Sequence, residues 1–180
     1  GTKTVAAEED ASIIDIFRYE NLTPGRTYVL KSWLVDAEGI ILSEPVEKTL
    51  VPEEESGRME ITLQLDTSDM AGKTIVVFSE LYWENICVAS HKDLSDEAET
   101  VRVPKVGTTA LDGDTGTHVG TVGEMVEIVD TVSYTGLTPG KEYTVSGTLY
   151  VRETEATLEI SGEPVTAEKI FIPEEPDGTI

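Results

Sequence analysis

Residues 128–140 read IVDTVSYTGLTPG, and residues 13–25 read IIDIFRYENLTPG. Alternate residues of a strand share one face of its sheet. The rule groups Ile128, Asp130, Val132 and Tyr134 in the later copy, and Ile13, Asp15, Phe17 and Tyr19 in the earlier one. Both copies end in LTPG, which puts proline and glycine at the central positions of a type II turn, with glycine taking the positive φ. The stretch thus reads, twice, as a half-buried strand entering a tight turn. Each copy also sets an aspartate on its apolar face, where a carboxylate is costly unless paired, hydrogen-bonded or neutralised.

The similarity continues outward. Asp15, Tyr19, Leu22, Thr23, Pro24, Gly25 and Tyr28 match Asp130, Tyr134, Leu137, Thr138, Pro139, Gly140 and Tyr143 at a constant offset of 115. EKTLVPEEESGRM at 47–59 matches EKIFIPEEPDGTI at 168–180 at an offset of 121, so six residues are gained within Val151–Gly162. At the start, GTKT at 1–4 fits GTTA at 107–110. Repetition of this kind marks tandem units, with a boundary near Pro104: residues 1–103 form one near-complete unit and 104–180 the first part of another. The segments RMEITLQL, KTIVVFSELYW, ICVASH and ETVRV are rich in β-branched and aromatic residues and read as strands. No segment reads as a helix, although SDMAG and SDEAE each suit a single turn. The expected fold is all-β, tandem Ig-like β-sandwiches with the second incomplete. The second unit has no counterpart of the strands after Met59, so an apolar face and a strand edge should stand open until further chain covers them.

The 180 residues include 13 basic and 35 acidic ones, a formal net charge of −22. That balance disfavours nucleic acid and anionic membranes as partners and favours solubility. No apolar run reaches the roughly 20 residues of a membrane span. Cys87 is the single cysteine, so an internal disulfide is excluded; alternation places it with Ala89 and His91 as a buried, inert thiol.

Near the end of the first unit the chain reads SHKDLSDEAETVRVP. Alternation puts Glu99 with Val101 and Val103 on the apolar side, so Asp15, Glu99 and His91 converge on one interior. Two readings stay open. They form a structural trio, with Asp15 hydrogen-bonded to a neighbouring strand, His91 satisfied at an edge and Glu99 at the rim, or they form a reactive site. Elsewhere, LDGDTG at 111–116 faintly echoes a calcium loop but lacks the glutamate such loops need, so it reads as a turn, with His118 exposed beside it. Tyr82 and Trp83 read as a cap on the end of the sandwich. No phosphate loop and no metal cluster of plausible spacing is found, and no cofactor is expected.

Together, GTT–A near a unit's start, IVDTVSYTGLTPGKEYTVSGTLY, AGKTIVVF and VASHKDLSDEAETV resemble the ester-bond-containing (VaFE repeat) domains of Gram-positive surface proteins, along the whole chain. The resemblance implies an Ig-like sandwich with an internal ester between a threonine of the first strand and a glutamine of the last, ammonia being lost. Carried over by position, the nucleophiles are Thr2 and Thr108, the assisting aspartates Asp15 and Asp130, and the histidine His91. Two positions depart from the pattern: Ser79 stands where the family has a glutamate, with Glu80 facing the other way, and Glu99 stands where it has the glutamine. A carboxylate repels a nucleophile and has only an oxide to expel, so Glu99 could react only when protonated, losing water. The first site therefore reads as degenerate, and the second lacks its histidine and acyl partner.

The implied function is a structural stalk module of a bacterial surface adhesin, extracellular and cell-wall-anchored, whose partners are the neighbouring repeats of the same polypeptide. The alternative is a ligand-binding adhesin domain that contacts a host molecule through loops such as SDMAG, YWEN or DGDTG. A turnover enzyme would need an open cleft presenting Asp15 and His91 together; at most a single autocatalytic cross-linking event is expected.

Overall fold

Alternation in the first repeat stretch produces the first strand, β1 (Ala11–Tyr19), whose inward residues Ala11 and Ile13 are buried while Ile14 and Ile16 face solvent. The computed structural model describes residues 3–120, 122–123 and 125–180. The LTPG turn then reverses the chain: Gly25 has φ +75°, and the Arg26 N–H donates to Thr23 O at 3.2 Å. The strands that follow are β2 (Tyr28–Asp36), β3 (Val46–Leu50), β4 (Gly57–Leu65), β5 (Thr74–Trp83), β6 (Ile86–His91) and β7 (Thr100–Arg102). No helix occurs among the described residues.

Two sheets result. β1 pairs antiparallel with β4, and the second sheet runs β3-β2-β5-β6, with β7 also bonded to β5. Their inner faces meet in one core: Ile13, Ile61 and Leu63 from the small sheet, and Leu30, Leu34, Ile75, Val77 and Leu81 from the large one. Each such buried side chain contributes about 1.5–3 kcal/mol. This is an Ig-like β-sandwich, closed by the chain's start. Residues 3–5 run parallel to β7, with the Arg102 N–H donating to Lys3 O and Val5 N–H to Arg102 O.

The remaining strands are β8 (Lys105–Asp112), β9 (Ile128–Thr135), β10 (Tyr143–Thr148), β11 (Tyr150–Val151), β12 (Ala156–Thr157), β13 (Glu159–Ile160), β14 (Glu163–Pro164), β15 (Thr166–Phe171) and β16 (Gly178–Thr179). β16, β9 and β8 form one sheet, β10 and β15 another. The repeat is exact at the level of pairing. Tyr19 lies opposite Gly57, and Tyr134 opposite Gly178. In the turns, the Tyr28 hydroxyl accepts from Thr23 N–H at 3.1 Å, and the Tyr143 hydroxyl from Thr138 N–H at 3.0 Å. The six extra residues build the β11–β12 and β13–β14 hairpins. Among the described residues after Pro104 the β5-to-β7 layer has no equivalent, and the hydrophobic side chains buried in this part are Val132, Tyr134 and Leu137.

One expectation is corrected: Cys87 is exposed, not buried. β6 lies at the edge of its sheet and all its residues are exposed, Ala89 and His91 included, so alternation there selects no buried face. Trp83 packs on the core, with the Arg26 guanidinium 4.2 Å above its ring.

Candidate functional site

The apolar alternation of β1 carries Asp15 inward between Ile13 and Phe17, opposite Ile61 of β4. A one-residue change of register would expel it to solvent with the outward Ile14 and Ile16. From the other sheet, the SDEAE turn delivers Glu99. Its N–H bonds Asp96 O at 3.1 Å and its carbonyl accepts from Val77 N–H at 3.0 Å, which holds the residue against β5 just before β7 begins. The Asp15 and Glu99 carboxyls face each other at hydrogen-bonding range.

Burial raises both groups, because it disfavours their charged forms. Glu99 is pushed up to about 7, by burial first and by the adjacent Asp15 charge second. Asp15 is also raised by burial, but the bond from Glu99 opposes the rise. Both shifts favour a neutral carboxyl in the pair, on Glu99 more strongly than on Asp15, so a proton held there bridges the two groups.

His91 ends β6 opposite Ser79. Its Nε2 lies 3.0 Å from Asp96 Oδ2, with the side chain about half exposed, 47%. Ser79 is buried, its Oγ 2.7 Å from Ser32 Oγ. Glu80 faces away as alternation requires; it accepts from the Tyr82 hydroxyl at 2.7 Å and pairs with Lys92. Asp15, Phe17, Ser79, His91, Glu99 and Val101 line a single cavity of about 520 Å³. Lys3 reaches its mouth, where the ammonium donates to Ala98 O. Thr2 lies outside the described residues.

In the second half, β8 and β9 pair Thr108 with Val132 and Ala110 with Asp130. Thr108 and Asp130 thus share a face and line a separate cavity of about 510 Å³. Asp130 is solvent-exposed there, unlike Asp15, although residues of β10 and β15 line the same cavity. His118 is elsewhere, exposed, with Nδ1 3.1 Å from Ala110 O. LDGDTG is a turn: Asp112 Oδ1 accepts from Thr115 N–H at 2.8 Å, and that bond holds the Asp112 carboxyl below its usual range.

Asp96 is the site residue that sequence reading missed. It lies in a loop, where alternation assigns no face. The available signal was the single turn expected for SDEAE, which sets Asp96 beside Glu99.

Comparison with known proteins agrees with this architecture. The family model described as "T-Q ester bond containing domain" matches twice, at residues 1–103 and 104–180. Two solved structures are similar in fold, both of a bacterial adhesin from Mobiluncus mulieris containing intramolecular disulfide, isopeptide and ester bond cross-links, in space groups P1 and P21. They are 14% and 13% identical, cover 94% and 92% of this chain and 88% of their own, and each has a TM-score of 0.51. No curated protein matches in sequence. With both halves matched from end to end, the chain belongs to the T-Q ester bond containing domain family.

Proposed function

We propose that the chain is a pair of load-bearing modules, residues 1–103 and 104–180, from the extracellular, cell-wall-anchored stalk of a bacterial adhesin, and that the first module's cross-link site is degenerate and closed by hydrogen bonds. The Asp15–Glu99 carboxyl pair carries this reading. In ester formation of the family type a threonine hydroxyl displaces ammonia from a carboxamide. Glu99 offers an oxygen that must leave as water, and its neutral form is held in a bond to Asp15. Ser79 supplies no carboxylate and is tied to Ser32. His91 and Asp15 keep the positions of an assisting base and acid without a competent acyl group between them.

The load path supports the mechanical role. Residues 3–5 run parallel to β7, so tension on the two ends of residues 3–102 loads their hydrogen bonds together in shear. The chain turns no substrate over, and its partners are neighbouring modules. The spacer reading is favoured over ligand binding because, among the described residues, only one aromatic side chain, Tyr150, is exposed, and it lies on a short hairpin. Loops meant to grip a host molecule present such rings in clusters.

Intact mass of the folded protein tests the site. The expected mass equals that of the sequence; a deficit of one water would show a Thr–Glu ester and overturn the degenerate assignment. Glu99→Gln alone should stay unchanged, whereas Glu99→Gln with Ser79→Glu should lose one ammonia. Failure of the double variant to do so would mean the site is not of the ester type.

A further inference from the structure

We propose that His91, Asp96 and Glu99 form a binding site for a borderline divalent cation of the Zn2+ or Mn2+ kind at the mouth of the first cavity, with Asp15 bracing Glu99 from the opposite sheet. One donor atom from each of the three lies within 4.8 Å of the others, and His91 Nε2 and Asp96 Oδ2 are already 3.0 Å apart. Metal–ligand bonds of about 2.0–2.2 Å in a tetrahedral site set neighbouring donors about 3.3–3.6 Å apart. Closing the group on a cation thus draws its widest pair in by about 1 Å, a movement that side-chain rotation of the half-exposed His91 supplies.

The donors come from structured positions. His91 is fixed by its pairing with Ser79, and Glu99 by its carbonyl bond to Val77 and its turn bond to Asp96. Charge points the same way. Asp15, Asp96 and Glu99 converge on the site from both sheets; of the nearby cations, Arg102 is paired with Glu97 at 2.7 Å, and Lys3, bonded to Ala98 O at the cavity mouth, faces Asp15. A dication would relieve that crowding. One imidazole with carboxylate oxygens suits Zn2+ or Mn2+ better than all-oxygen ions such as Ca2+. The ion would tie the end of β6 to the segment leading into β7. The cation site goes beyond the stalk reading and does not depend on it.

The test uses the 180-residue protein stripped with a chelator, then titrated calorimetrically with Zn2+, Mn2+ and Ca2+ while thermal unfolding is followed. Expected are one Zn2+ or Mn2+ per chain, a raised unfolding midpoint, and Ca2+ weaker by about tenfold or more. Asp96→Asn and Glu99→Gln should each weaken binding by more than about tenfold, the range that even supporting partners of metal ligands produce. Glu60→Gln, which removes the same charge from an exposed strand position, should leave it unchanged. Equal weakening by Glu60→Gln and Glu99→Gln, or no saturable binding, would overturn the site by reducing it to diffuse attraction to the acidic surface. On the wild-type protein, saturating Zn2+ should shift the His91 ring resonances; unmoved resonances overturn it without any variant. The mass of the same sample reads cross-linking separately, so failure of the ion site leaves the stalk reading standing.

Discussion

Glu99 is the site carboxyl whose proton affinity is raised furthest, and its titration should be visible in stability. Its folded value of about 7 lies above the 4.5 of a free glutamate. The native state therefore binds more protons than the unfolded chain between those limits, and stability must fall as pH rises through them and level off above. Asp15, also raised, acts in the same direction. At 1.36 kcal/mol per unit the shift bounds the effect, and partial solvent exposure cuts it to about 1–2 kcal/mol. Urea unfolding in chelator at pH 5 and pH 8 should show this loss in the wild type and a smaller one in Glu99→Gln. Equal losses in both would place the responsible titration elsewhere. At this scale sequence reading worked where a residue sits in an unbroken strand. Asp15 is inward because Ile13 and Phe17 flank it, whereas Cys87 sits in an edge strand that is exposed on both faces, so alternation there selects no buried side.

Elements were legible where turn chemistry is obligatory. LTPG forces the reversal after β1, and its copy forces the reversal after β9, through glycines at φ +75°. A second pair of glycines is used differently. A Cβ on Gly57 would lie 2.4 Å from the Tyr19 Oη and 2.7 Å from its Cζ, while a Cβ on Gly25 meets nothing within 4 Å. Gly25→Ala should thus cost about 1–2 kcal/mol purely as left-handed backbone strain. Gly57→Ala should cost about 1–3 kcal/mol purely as overpacking. Thermal unfolding separates them: Tyr19→Phe should partly rescue Gly57→Ala, since Cζ stays close, and leave Gly25→Ala unrescued. Rescue of both, or of neither, would contradict the steric assignment. The tight contact was not readable from ESGR, because Tyr19 meets Gly57 only through strand pairing across the sheet.

At the scale of the molecule, the repeat predicted one near-complete unit and the first part of another, and burial differs between the two. The core cluster of Ile13, Leu30, Leu34, Ile61, Leu63, Ile75, Val77 and Leu81 lies wholly before Pro104 and depends on β4 through β7. After Pro104, Val132, Tyr134 and Leu137 are buried while Ile128, Ile170 and Ile172 are 46%, 60% and 58% exposed. Pairing alone gives a two-layer β fold marginal stability; a covered apolar face is needed. Amide hydrogen exchange on the 180-residue chain should therefore show two levels of protection. Amides of β2 and β5 should exchange only by opening of the full sandwich, and those of β9, β10 and β15 by cheaper local opening. The ratio should exceed about tenfold, since each 1.4 kcal/mol of opening energy is worth a factor of ten. Raising ionic strength should narrow the gap little, because screening acts on the −22 net charge and not on missing apolar contact. Uniform protection along the chain would mean that the exposed isoleucines of the second unit are covered in solution, and that the open face belongs to a surface the chain closes by self-association.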